Sequence, residues 1–200
     1  AIHGTASNAA VFRIQLGKAA PELEKTYDLR FAEGPKICAP ENKHAQLMRG
    51  FFGKNQVLHE FAEAKEDERG WRIYDGLEET LDACEAHITE LCGGRAPAAL
   101  VCFSQGANFG SMLAARAEKR GEPLKCVVLI CGAKPGWVAQ LPDLFANPLQ
   151  TPALVGSSAT DNIVGNGPEE MVKLFAAPET AEHGEGHKPM PSARDGGAFQ

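Results

Sequence analysis

Six consecutive apolar residues, Ala98-Ala99-Leu100-Val101-Cys102-Phe103, stop at Ser104, and a helix pattern begins at the next residue with no linker between them. An apolar run of this length reads as a fully buried strand, while Phe109, Leu113 and Ala117 recur on one helical face over residues 105–120. The chain must therefore change from strand to helix at Ser104. Such a turn lifts a serine hydroxyl above the carboxyl edge of a sheet and leaves the backbone N–H of Gln105, at the helix N-terminus, facing a developing oxyanion. Gly106 lets the helix pack close. The plainer reading is a serine that only caps a helix. The pattern also departs from a full Gly-x-Ser-x-Gly elbow, because Cys102 stands where the first glycine belongs, although a small thiol is a tolerable substitute.

Two later segments bear on that choice. Asp161 follows the apolar strand Pro152-Ala153-Leu154-Val155 through Gly156-Ser157-Ser158, so it falls in a loop at a strand's carboxyl end. A glycine-rich stretch, His183-Gly184-Glu185-Gly186-His187-Lys188-Pro189, then supplies histidine. The order Ser, Asp, His is that of the α/β-hydrolases and not of the chymotrypsin or subtilisin triads. Asp161 also suits a simple Asx turn with Asn162, and Asp143 in a connector is a rival acid. His183 competes with His187 for the role of base. Two histidines four apart suggest zinc, but Gly184 and Gly186 oppose the helix that would put both on one face. His3, His44, His59 and His87 read as structural or surface residues.

Strand and helix patterns alternate along the chain. Thr26–Ala32 alternates polar and apolar residues and predicts a short strand ending at Glu33-Gly34-Pro35. Asp75 is placed to cap a helix whose positions Leu77, Leu81, Cys84, Ile88 and Leu91 form one stripe, stopped by Gly93-Gly94. Lys125–Cys131 is a second buried strand closed by Gly132; a Pro/Gly-rich connector over 133–151 leads to strand 152–156, and Pro168-Glu169-Glu170 opens a short helix reaching Phe175. The alternation predicts an α/β fold with a mostly parallel central sheet covered by helices on both faces. Two hundred residues fit a single domain spanning 1–200.

A formal charge of −6 and a pI near 5.5, with no Lys/Arg-rich run, argue against a nucleic-acid partner. No apolar run approaches the roughly 18 residues of a membrane span. No signal peptide is visible, though a chain starting at Ala1 says little on that point. The six cysteines include Cys102, Cys126 and Cys131 in or at the ends of predicted core strands, and none forms a C-x-x-C pair, which predicts free thiols in a reducing, cytoplasmic compartment.

Four landmarks spread over nearly the whole chain carry a family resemblance. They are His3-Gly4; Arg69-Gly70-Trp71 followed by Tyr74-Asp75-Gly76-Leu77-Glu78-Glu79-Thr80-Leu81; Phe103-Ser104-Gln105-Gly106-Ala107; and His183-x-x-Gly186-His187. Together they resemble the eukaryotic FSH family of serine hydrolases, relatives of the α/β-hydrolase esterases and thioesterases. The resemblance implies an α/β-hydrolase fold, Ser104 as nucleophile, Asp161 as the acid, His187 as the base, and the loop after His3-Gly4, through the Thr5 N–H, as an oxyanion donor beside Gln105. It implies no metal and no cofactor, and a small-molecule acyl ester or thioester as substrate. An acyl-protein thioesterase-like enzyme, which also carries Phe-Ser-Gln-Gly, and a catalytically silent ligand-binding descendant are the alternatives.

Both ends look short beside the family, as if trimmed. Residues 39–68 match it poorly, and their apolar side chains suggest a lid or pocket wall over the sheet edge. Phe51 and Phe52 are expected there as acyl-binding residues. Trp71 is expected either to line the same pocket or to anchor packing.

Overall fold

The run at 99–103 is apolar throughout because both faces of its strand are covered. The structure, a computed structural model, describes residues 1–191. Two short helices come first, α1 (Ala9–Leu16) and α2 (Ala19–Glu24). Small elements follow: β1 (Lys36–Ile37), α3 (Lys43–Phe52), β2 (His59–Glu60), β3 (Ala64–Glu66) and β4 (Arg72–Tyr74). Larger ones then alternate as α4 (Leu77–Leu91), β5 (Ala99–Phe103), α5 (Gln105–Lys119), β6 (Cys126–Ile130), α6 (Trp137–Gln140), β7 (Ala153–Ser158), α7 (Gly167–Val172) and β8 (Glu179–His183).

The central sheet runs β5-β6-β7-β8 with every pair parallel. Alternation along the strands sorts the core into two layers. Leu100, Cys102, Val127, Leu129, Ala153 and Val155 face α4 and α5, where Leu81, Ile88, Phe109, Met112 and Leu113 are buried. The other residues of the same strands, Val101, Phe103, Val128 and Ile130, turn to Phe12, Leu16 and Ala20 of α1 and α2. A fully buried side chain of this kind contributes about 1.5–3 kcal/mol.

Cys102 fits beside the elbow because the helix gives way. A Cβ at Gly110 of α5 would lie 2.5 Å from the Cys102 sulfur, so the volume missing from the helix is occupied by the thiol. Gly106 has a parallel role, since a Cβ there would lie 2.4 Å from the His3 carbonyl oxygen.

Several elements differ from the sequence expectations. Residues 26–32 form no strand; only Ala32 pairs, through an isolated parallel bridge to Ile2, which in turn bridges Cys102. Asp75 does not cap α4. Gly76 takes the N-cap position at φ 58°, ψ 38° with no side-chain cap, while the Asp75 carboxylate pairs with the Lys65 ammonium. β8 was not expected: its sequence Glu-Thr-Ala-Glu-His is mostly exposed and carries no apolar alternation. All six cysteines are free thiols. No helix among the described residues is long and apolar enough to cross a membrane.

Candidate active site

Ser104 sits at the β5–α5 junction with φ 54° and ψ −121°, a conformation that L-residues adopt at a cost on the order of 1–3 kcal/mol. Its side chain makes no capping hydrogen bond to the helix. Ser104 therefore occupies the N-cap position without capping the helix through its side chain. The turn is held by the Ser104 N–H donating to Ile130 O at 2.8 Å and by the Phe103 N–H donating to Ile2 O at 3.0 Å. The Ser104 hydroxyl is consequently free to point away from the helix.

It points at His187. His187 Nε2 is 2.8 Å from Ser104 Oγ, and His187 Nδ1 is 2.7 Å from Asp161 Oδ2. A carboxylate only accepts, so the imidazole proton lies on Nδ1, and Nε2 accepts from the serine hydroxyl. Asp161 follows β7 and His187 follows β8. Parallel strands thus deliver all three side chains to the same sheet edge. Burial acts to raise the Asp161 carboxyl, but the hydrogen bond and charge of His187, with the N–H groups of Ile163 and Val164, outweigh it and hold the group down at about 2. The His187 ring also packs on Phe103, with ring centroids 4.9 Å apart. His183 is drawn elsewhere: it ends β8, and its ring nitrogens bond to the Lys188 carbonyl at 3.1 Å and the Glu185 N–H at 3.2 Å.

Two backbone N–H groups flank the serine. Gln105 opens α5, where the first-turn N–H groups have no intrahelical acceptor. Thr5 belongs to the loop after Gly4 and lines the same cavity as Ser104, Gln105 and His187. His3 fixes the orientation of that loop. The Gly34 N–H donates to His3 Nε2 at 3.1 Å, which leaves the imidazole proton on Nδ1, 2.6 Å from the Gly4 carbonyl oxygen. In a trans peptide the carbonyl and the following N–H point in opposite directions. Holding Gly4 C=O therefore turns the Thr5 N–H away from His3. Burial pushes the His3 imidazole down to about 4, which keeps it neutral and in this tautomer at ordinary pH.

Other ties escaped sequence reasoning. Thr160 Oγ1 donates to Gly184 O and accepts from the Gly186 N–H, both at 2.8 Å, so it joins the Asp161 loop to the His187 loop. The Gln105 side chain accepts from Phe61 N–H at 2.8 Å and donates to Ala62 O at 2.7 Å, which fastens the segment before β3 to the elbow. Nothing in a lone threonine or glutamine signals such roles; they arise from loops that meet only in three dimensions.

The cavity in front of Ser104 has a volume of about 830 Å³. Its apolar lining includes Ile37, Leu47, Met48, Phe103, Ile163 and Val164. The expected acyl-binding residues lie elsewhere. Phe51 is 75% exposed, and Phe52 packs against the cluster of Ala6, Val11, Cys38, Ala45 and Leu58. The reason is position along the helix: the α3 residues that border the cavity, His44, Leu47 and Met48, lie in its first two turns, and Phe51 and Phe52 fall one turn beyond them. Trp71 belongs to the β3–β4 hairpin, where its ring stacks under the Arg69 guanidinium 4.4 Å away. One sulfur, one oxygen and one nitrogen donor, from Cys131, Asp161 and His187, lie within 4.8 Å of one another.

The chain is similar to known proteins. Esterase OVCA2 of Danio rerio is 28% identical over 211 residues, covering 93% of this chain and 87% of its own length. Esterase AGAP003155 of Anopheles gambiae is 29% identical over 196 residues, covering 94% and 69%. Among solved structures, esterase PE8 aligns with a TM-score of 0.63 at 21% identity, over 98% of this chain and 85% of that one. Acyl-protein thioesterase 2 of Zea mays aligns with a TM-score of 0.55 at 18% identity, over 95% and 85%. These neighbours identify the fold as that of the α/β-hydrolases. A family model described as serine hydrolase (FSH1) matches residues 1–195, and the chain belongs to that family.

Proposed function

We propose that the chain is one hydrolase domain that cleaves a carboxylic ester or thioester of an acyl substrate by two-step acyl transfer. The observation that carries this reading is the unbroken hydrogen-bonded chain from Ser104 Oγ through His187 to Asp161, built on a serine whose φ of 54° keeps its hydroxyl off the helix. Ser104 attacks the carbonyl as His187 Nε2 takes its proton. Asp161, ionised down to a pH of about 2, holds the Nδ1–H tautomer and stabilises the imidazolium. The N–H groups of Gln105 and Thr5 receive the oxyanion of the tetrahedral intermediate. His187 returns the proton to the leaving alcohol or thiol, and water then releases the acid by the same steps. These steps call on no metal or cofactor.

The acyl chain enters between Leu47 and Met48 of α3 on one side and Ile163 and Val164 on the other, so that residues 39–68 supply a pocket wall. The names of the relatives, esterases in two animals and an acyl-protein thioesterase in maize, support this substrate class. Ile37, Leu47 and Ile163 are exposed at 64%, 59% and 59% where they border the cavity, which favours a substrate whose apolar part extends past the mouth, as an S-acylated protein would. Fluorophosphonate labelling tests the reading. Wild-type chain takes up one label, Ser104→Ala takes up none, and its kcat is lower by about four to six orders of magnitude. Labelling that survives in Ser104→Ala removes the nucleophile assignment, and an unlabelled wild type points to a silent ligand binder. A panel of small esters, acyl thioesters and S-acylated peptide of graded chain length then ranks the substrates.

A further inference from the structure

We propose that Cys131, Asp161 and His187 form a zinc-binding site whose occupation switches the hydrolase off. The consequence for turnover rests on the triad reading above, whereas the binding itself does not. One donor comes from the carboxyl end of each of three adjacent strands, Cys131 directly after β6, Asp161 after β7 and His187 after β8. The three donor atoms lie within 4.8 Å of one another. A thiol, an imidazole and a carboxylate make a mixed sulfur, nitrogen and oxygen set of the kind zinc takes and magnesium or calcium does not.

Cys131 has no part in the acyl-transfer steps, and it does not line the substrate cavity. It is nonetheless fully buried, and its backbone stands at φ 52°, the left-handed region in which a cysteine is uncommon. The sulfur contacts the Lys188 carbonyl at 3.6 Å, directly beside His187. Zinc bonds of about 2.0–2.3 Å place tetrahedral donors roughly 3.3–3.8 Å apart. Asp161 Oδ2 and His187 Nδ1, now at 2.7 Å, must separate slightly, and the thiol must close in. A solvent molecule completes the four ligands.

The proton balance explains inhibition. Zinc replaces the Cys131 thiol proton, which leaves to solvent, and accepts the lone pair of His187 Nδ1. The imidazole proton then lies on Nε2. No electron is transferred, and the ring stays neutral. Nε2 has become a donor toward Ser104 Oγ and is unable to take its proton, so the base is lost by a change of tautomer while the cavity stays open.

The test uses the full chain and zinc chloride in a buffer that does not chelate. Wild-type kcat on a short ester falls with added zinc while KM holds, and EDTA restores it. Cys131→Ala keeps its activity without metal and needs roughly ten-fold or more zinc for half inhibition. Cobalt gives a readout without turnover: wild type develops a thiolate-to-cobalt charge-transfer band, and Cys131→Ala does not. If the alanine variant fails to fold, Cys131→Ser supplies the same contrast. Equal zinc sensitivity with and without the thiol, or no cobalt–thiolate band, overturns the site. A band together with zinc-insensitive turnover overturns the switch while the metal site stands, and His187→Ala, whose loss of turnover needs no metal, tests the assignment of the base separately.

Discussion

The sheet edge that carries Ser104, Asp161 and His187 and the segment from Lys36 to Glu66 meet at one cavity but are built differently. The edge is the end of four parallel strands, of which β5 and β6 are buried on both faces, and one hydrogen-bonded chain links Ser104 to His187 and His187 to Asp161. The segment consists of two- and three-residue strands around an amphipathic helix that leaves Leu47 and Phe51 exposed. Chemistry that depends on distances good to a fraction of an ångström is placed on the sheet. Apolar contact, which tolerates adjustment, is left to the segment, whose Leu47 and Met48 line the cavity.

The comparison breaks most visibly at Asp161. Asp161→Asn leaves the fold and cavity in place and is expected to lower kcat by about three to four orders of magnitude, because an amide no longer enforces the Nδ1–H tautomer. Its folded carboxyl sits below the ordinary value, so its contribution is present above about pH 4 and is lost as the pH falls through about 2. Urea midpoints for wild type and Asp161→Asn therefore converge over that window. Parallel curves would mean that the carboxylate is not held by His187.

His3 is the second place to press. A neutral buried imidazole at about 4 contributes stability that is complete above about pH 6.5 and disappears as the pH falls through 4, worth about 3 kcal/mol. His3→Ala should flatten the acid slope of stability in that range. It should also lower kcat by about ten- to a hundred-fold at constant KM, with partial recovery in His3→Asn, whose amide N–H can reach the Gly4 carbonyl. Recovery of stability without recovery of kcat would confine His3 to packing.

Smaller effects sharpen the contrast from the other side. Thr160→Val removes both bonds between the acid and base loops and should cost about ten-fold in kcat, read at saturating ester. Met48→Ala and Leu47→Ala should flatten the rise of kcat/KM with chain length, each wild-type methylene being worth about 0.8 kcal/mol or roughly fourfold, while the shortest ester is unchanged. Phe51→Ala, on the solvent side of α3, should alter no member of the series by more than about twofold. A uniform loss from Met48→Ala at all lengths would assign α3 to the fold rather than to the pocket.

What was legible in the sequence follows the same division. β5, α5, α4 and β6 could be read because a strand covered on both faces and a helix with one buried stripe leave local patterns. Ser104, Asp161 and His187, which the structure brings into one hydrogen-bonded chain, could be singled out for a related reason, since each follows on such a strand or lies in a motif that carries the family resemblance. β8 left no trace because a strand that, among the described residues, pairs with β7 alone can be polar, as Glu179 and Glu182 are. The stretch 26–32 alternates like a strand, but alternation supplies no partner, and only Ala32 finds one in Ile2. In α3 the apolar residues were visible, whereas the turn of the helix that borders the cavity was not. Where the helix sits is decided by how Ala45 packs with Ala6, Val11, Cys38 and Leu58, which come from separate segments of the chain.

The hydroxyl of Thr160 also sets how the site moves. Because it clasps the Gly184 carbonyl and the Gly186 amide, the loops of Asp161 and His187 are tied to each other, while Ser104 stands on the β5–α5 corner. Loops move on the nanosecond to microsecond scale, and the clasp adds a tie that any parting of the Asp161 and His187 loops must break, whereas the His187 ring meets the Ser104 corner through the serine hydroxyl and the Phe103 ring.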